Sequence, residues 1–154
     1  MAKLVEPRGL DAWRAFVQTH AAVISRIERD LESRGLIPLV WYDVLVAISS
    51  APGRRLRMRA LADSLVLTRS GATRLVDKLE QAGLVRREIA PEDGRGADAT
   101  LTEQGRVALR RAWPVYARGI NELFLSRLSA REIETIGRAL GRVRRAALEP
   151  SDSS

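Results

Sequence analysis

Arg69, Ser70, Thr73, Arg74 and Lys78 recur at the three- and four-residue steps that put side chains on one face of a helix. Arginine can pair bidentately with a guanine edge, serine and threonine hydroxyls can touch bases or phosphates, and lysine adds a point charge. The chemistry on offer is recognition of an ordered array of acceptors rather than the making or breaking of bonds. Asp77 and Gln81 lie on the same outward face, and Thr68 stands before it as an N-cap. The helix N-terminus itself favours a phosphate. Taken alone, the same face is an ordinary solvated surface, so its neighbours must decide.

Those neighbours are ordered. A helix is expected from Thr68 to about Ala82, with Ala72, Leu75, Val76 and Leu79 inward and Gly83 as its stop. Arg59 to Leu65 reads as a short helix with Leu61, Ala62 and Leu65 inward, and Val66-Leu67 as the turn between the two. Leu84 to Ala90 and Ala97 to Leu101 read as paired strands around the turn Pro91 to Gly96. Helix, turn, helix and hairpin together describe a winged helix-turn-helix, which lays its second helix in the major groove of duplex DNA. At the hairpin tip, Arg95 suits a narrow minor groove. Asp93 would accept hydrogen bonds that orient Arg95 or the turn. A generic polar hairpin is the plain alternative for that turn.

Apolar helices flank this unit. Residues 1–9 read as a flexible lead. Trp13, Phe16, Val17, His20, Ile24, Ile27 and Leu31 make a stripe along a helix from Leu10 to about Arg34, stopped by Gly35. Leu39 to Ser50 is apolar nearly all round and is expected to be largely buried. Ala51-Pro52-Gly53 breaks it, and Arg54 to Met58 could be a short edge strand. Thr102 caps a helix to about Leu128 that Pro114 should interrupt and kink. Ser129 with Glu132 forms a capping box for a last helix carrying Ile133, Ile136, Leu140 and Val143, and residues 149–154 are a polar tail. The expected fold is therefore mainly α with a small β-hairpin wing: a winged helix-turn-helix lobe over 39–101, with terminal helices at 10–35 and 102–148, in one domain spanning 10–148. The terminal helices could pack on each other within one chain or against a second copy. A dimer suits DNA, because two recognition helices about 34 Å apart meet successive major grooves.

Composition narrows the function. The 154 residues carry a formal net charge of +7, which favours phosphate-bearing partners, although only two of the 26 basic residues are lysines and arginine bias alone could raise the charge. No cysteine is present, which excludes disulfides, thiolate metal sites and thiol redox chemistry. His20 is the only histidine, so no transition-metal ligand set is recognisable, and it is read as a core or interface side chain rather than a pH sensor. There is no nucleophile motif, no phosphate loop and no cofactor signature, so an enzyme is not expected. No apolar run approaches membrane length and no signal peptide is recognisable, which makes a cytoplasmic, nucleoid-associated protein the expectation.

The run LADSLVLTRSGATRLVDKLEQAGLVRRE, followed by Asp93-x-Arg95 and then Leu101-Thr102, resembles the MarR family of transcriptional regulators. Leu39 to Ile48, with its YDVL, resembles the family's second helix, and the likeness covers about residues 10–148. The turn departs from the family pattern in having Gly94 and Gly96 on either side of Arg95. The resemblance implies a homodimer joined by the N- and C-terminal helices, binding double-stranded promoter DNA at a pseudo-palindrome through Thr68, Arg69, Ser70, Thr73, Arg74, Lys78, Asp93 and Arg95. It also implies release by a small anionic or phenolic effector held between the dimer helices and the DNA lobe. Trp13, Trp41 and Asp43 lie on the helices expected there, with Arg59 and Arg86 as candidate anion partners; Tyr42 and Arg57 are neighbours of interest. Asp43, in an otherwise apolar helix, is expected to pair with an arginine. The bland reading makes these aromatics ordinary core. A repressor is the leading reading, with a ligand-independent or architectural DNA-binding regulator and a helical interaction module as the competing ones.

Overall fold

The computed structural model describes residues 6–65, 67–89 and 96–149. The elements run α1 (Pro7–Glu32), α2 (Leu39–Ser50), β1 (Arg55–Arg57), α3 (Met58–Ser64), α4 (Arg69–Gln81), β2 (Val85–Ile89), β3 (Ala97–Leu101), α5 (Glu103–Leu123) and α6 (Ala130–Leu148), with single 3-10 turns at Pro52–Arg54 and Leu125–Arg127. The mainly α fold with a small hairpin wing is as expected.

Several boundaries follow from local chemistry. Proline at the first helical position starts α1 at Pro7, three residues before Leu10, because its fixed φ suits a helix and its missing N–H is not needed there. Gly35, at φ 62°, closes α1: its N–H donates to the Glu32 carbonyl at 2.9 Å, and the Leu36 N–H donates to Leu31 at 3.0 Å. The expected interruption at Pro114 does not occur, and α5 stays helical through it. Pro114 and Arg110 are both exposed, so water can reach the carbonyl that loses its bond. α5 ends at Leu123 rather than near Leu128, because Phe124 leaves the helical region with φ −124° and ψ −64°.

α2 divides the interior in two. On one side Val44, Leu45 and Ile48 meet Leu61, Val76, Leu79, Val85 and Ala99 in the core of the DNA-binding lobe. On the other, Leu39 and Tyr42 meet Ile27, Leu31 and Ala112, joining α1 and α5. α2 is not buried all round, however: Val40, Asp43 and Val46 face outward, since two contact surfaces do not cover the whole circumference.

The sheet is antiparallel in the order β1-β3-β2. Its register places Leu56 beside Ala99 beside Arg87, and Val85 beside Leu101, on the face toward the helices. Arg55, Arg57, Arg86, Glu88, Asp98 and Thr100 share the other face.

α6 buries none of its residues, and its apolar stripe of Ile133, Ile136, Leu140 and Val143 is only half covered or exposed. The first half of α1 is also exposed, with Trp13 at 59% and the Trp13 and Phe16 ring centroids 6.0 Å apart. His20 lies on this exposed stretch, so it is not a core histidine in the single chain.

Candidate nucleic-acid interface

α4 is built to hold its polar face out. The Thr68 hydroxyl accepts from the Gly71 N–H at 3.0 Å, capping the helix. Gly83, at φ 71°, ends it, with the Leu84 N–H returning to Leu79 at 2.9 Å. Ala72, Val76 and Leu79 are buried in the lobe core. That leaves Thr68, Arg69, Ser70, Thr73, Arg74 and Lys78 exposed on one side. All three hydroxyls are engaged: Thr73 donates to the Arg69 carbonyl at 2.9 Å, and the Ser70 and Thr68 hydroxyl oxygens lie 3.3 Å apart. Arg69, Arg74 and Lys78 have no ionic partner among the described residues.

Asp77 differs from its neighbours on this face. It is half-buried and ion-paired to Arg87 of β2. Arg87 also takes Glu80: its backbone N–H and its Nε–H donate to the two Glu80 carboxylate oxygens, each at 3.0 Å. The helix that carries the polar face is therefore clamped to the hairpin that follows it. Sequence reasoning missed Arg87 and Glu80 as a pair. Alternation in β2 was the available signal, since it puts Arg87 on the same side as buried Val85.

The start of α5 is fastened to the same unit. The Thr102 hydroxyl caps α5 by accepting from the Gly105 N–H at 3.1 Å, and donates to the Gly83 carbonyl at 2.6 Å. A Cβ at Gly105 would come within 2.2 Å of the Leu84 carbonyl oxygen, so glycine alone permits this approach.

The outer face of the sheet is a charge network. Arg55 Nη2 lies 2.7 Å from Glu88 Oε2 and its Nε 3.9 Å from Asp98 Oδ2. Arg86 Nε lies 3.1 Å from Glu88 Oε1. Arg57 Nε is 3.2 Å from Asp98 Oδ1, a contact of charge rather than an aligned hydrogen bond. Asp98 is only 4% exposed, and the two arginines offset the cost of burying it.

Asp93 and Arg95, expected at the wing tip, lie outside the described residues, as does Val66 in the turn. The residues proposed to hold an effector fall in separate places. Trp13 is on the exposed half of α1, and Trp41 packs against the lobe core. Arg86 is engaged in the sheet network. Arg59 stands on α3, where it lines a cleft with Arg69 and Thr73. Asp43 is exposed and makes no ion pair among the described residues, contrary to the expected arginine partner, because no arginine among them is brought to it. Partial desolvation raises its carboxyl above the ordinary aspartate range, and burial, with a smaller contribution from the Asp43 charge, raises the phenols of Tyr42 and Tyr116. Those two rings pack edge to face at 5.0 Å.

Among the described residues, no helix is long and apolar enough to cross a membrane and no cluster of side chains could hold a metal ion.

The same arrangement is found in known proteins. The MarR family profile matches residues 34–96. The transcriptional regulator HosA of Escherichia coli is 37% identical over 93 residues, which are 60% of this chain and 67% of that protein. Among solved structures, Sco3205 of Streptomyces coelicolor, a MarR family transcriptional regulator in complex with DNA, superposes with a TM-score of 0.89 at 30% identity, covering 100% of this chain and 96% of that one. AbsC, a MarR family transcriptional regulator of the same organism, superposes at 0.88 with 27% identity, covering 95% and 98%. From its winged lobe to its terminal helices, this chain belongs to the MarR family of transcriptional regulators, and it is not an enzyme.

Proposed function

We propose that this protein is a homodimeric repressor that binds a pseudo-palindromic promoter site in cytoplasmic, nucleoid-associated DNA. The observation that carries the proposal is the exposed set Arg69, Arg74 and Lys78, without an ionic partner among the described residues, on a capped helix whose other face is locked into the lobe. Sco3205, similar over 96% of its length, was solved with DNA bound. Pairing is supported by the uncovered apolar stripes of α6 and the first half of α1, which one chain leaves in water. Thr68, Ser70 and Thr73 stand beside the cations to touch phosphates or bases, and Asp93 and Arg95 would engage the adjacent minor groove.

The test is a binding titration against duplexes from the promoter of this gene and its divergent neighbour, where an inverted repeat of about 16–20 base pairs is expected. Arg69→Ala and Arg74→Ala should each cost about 1–3 kcal/mol of specific binding. Unchanged affinity in both variants would remove α4 from the groove. Sedimentation should give a dimer for the wild type and a monomer for Leu140→Asp.

Release by a small anionic or phenolic effector is part of this reading; of its proposed contacts Trp13, Trp41, Asp43, Arg59 and Arg86, which lie apart in one chain, a site would need those that a second copy brings together. A ligand-independent regulator is the second reading. It is favoured by the two clefts near α3, whose walls include Arg59 but none of Trp13, Trp41, Asp43 or Arg86. Benzoate and phenol added to the bound complex separate the two: release supports the first, and undisturbed binding supports the second.

A further inference from the structure

We infer that the cleft between α3 and the start of α4 is a seat for one backbone phosphate of the duplex, with Arg59 as its main ligand. This rests on the DNA-binding reading above and moves Arg59 from the effector site to the DNA surface. The cleft has a volume of about 290 Å³ and is lined by Met58, Arg59, Arg69 and Thr73. Among the described residues, its walls bring two guanidinium-bearing residues and one hydroxyl together, with no carboxylate and no aromatic ring. An aromatic effector would find nothing to stack on there; a phosphate would find two cations.

The charge pattern of the lobe sharpens the point. Arg55, Arg57, Arg86 and Arg87 are each neutralised by a carboxylate of the sheet or of α4. Arg59 and Arg69 have no such partner among the described residues. Two like charges on one cleft repel until an anion comes between them. Thr73 cannot supply its proton to that anion while it donates to the Arg69 carbonyl, so the charge must come from the arginines. In a helix-turn-helix the first helix crosses the DNA backbone while the second enters the groove. A residue of the first helix that shares a cleft with the opening turn of the second is therefore at the level of the phosphates. On its other side Arg59 borders a second cleft, with Gly96, Ala97 and Asp63. The Asp63 carboxylate there directs an anion to the α4 side.

The experiment uses the full chain with Arg59→Gln and Arg59→Lys, the duplex selected by the wild type, and an unrelated duplex, titrated across a series of salt concentrations. Arg59→Gln should weaken both duplexes by a similar factor. It should also make the slope of log affinity against log salt shallower by about one for each protomer engaged. Arg59→Lys should keep the wild-type slope, and urea melts of all three proteins should coincide because Arg59 is exposed. An unaltered slope in Arg59→Gln, or a loss confined to the selected duplex, overturns the assignment while leaving the regulator reading in place. If replacing chloride by inorganic phosphate at constant ionic strength releases the wild type but not Arg59→Gln, the cleft holds a free anion instead and the assignment falls. Failure of the wild type on every duplex would bring down both readings together.

Discussion

Arg87 holds Glu80 at two points, with its backbone N–H on one carboxylate oxygen and its Nε–H on the other, both at 3.0 Å. The contact fixes the hairpin to the recognition helix, since Arg87 belongs to β2 and Glu80 to the last turn of α4. Those hydrogen bonds, the backbone one foremost, lower the Glu80 carboxyl below the ordinary value of 4.5. A depressed carboxyl contributes stability that is complete above its unfolded value and is lost as pH falls through the folded one. Glu80→Gln should therefore lower stability at pH 7 by about 0.5–1 kcal/mol, a modest figure because the pair is over a third exposed on the Glu80 side. Urea melts should show the wild type and the variant converging as pH falls from 4.5 through the lowered folded value; a gap that persists once the folded carboxyl is protonated would assign the effect to packing instead.

Asp43 gives the opposite sign. Desolvation raises its carboxyl above the ordinary 3.8, so the folded state holds its proton more tightly than the unfolded one. Its penalty is absent below 3.8, grows as pH rises through the raised folded value, and is complete above it. Asp43→Asn should raise the Tm at pH 7, and the gain should vanish as pH falls toward that ordinary value. Calorimetry at several pH values is the check; a variant less stable than the wild type at pH 7 would show that Asp43 has a cationic partner in the assembled protein.

The α1–α5 contact allows no added atom. A Cβ on Gly119 would come within 2.6 Å of Ile27 Cγ1, and Ile27 is only 1% exposed. Gly119→Ala should cost about 1–3 kcal/mol by overpacking. Ile27→Ala, which removes that Cγ1, should cost less in the Gly119→Ala background than in the wild type, and a double-mutant cycle measures the coupling.

Glu88 and Asp98 stand directly opposite each other on adjacent strands, an arrangement that like charges destabilise. Arg55 faces both. Arg55→Ala should loosen the base of the wing, read as faster amide exchange in β2 and β3. Glu88→Gln in the same background should slow that exchange again by removing the repulsion.

Thr102 ties the long helix α5 to the end of α4. Thr102→Val keeps the shape of the side chain but removes both the cap of α5 and the bond to the Gly83 carbonyl. The expected loss is about 1–2 kcal/mol in a urea melt, the range for a helix cap. Thr102→Ser should retain most of it.

The winged lobe was legible because its signals are local. Thr68 and Thr102 cap, Gly35 and Gly83 stop, and the helical spacing of Ala72, Val76 and Leu79 depends on a few neighbouring residues. The polar face of α4 followed from the same spacing, since the side that is not core must face water. The boundary misses were also local: the Pro7 start and the Phe124 break turn on one residue's backbone each.

What the chain alone could not give was which charges find one another. Asp77 reads as one of the outward residues of its helix and lies ten residues from Arg87, and only the fold pairs the two. Arg59, Arg86 and Asp43 were grouped by chemical type, but the fold sends Arg59 beside Arg69, Arg86 to Glu88 and Asp43 to the surface next to Tyr42 and Tyr116. Helix caps and apolar spacing act within a turn or two, so the sequence by itself determined the elements and the outward face of α4. Ion pairs act through space between elements, so only the tertiary structure decided which arginines are spent on the fold and which are left for a partner.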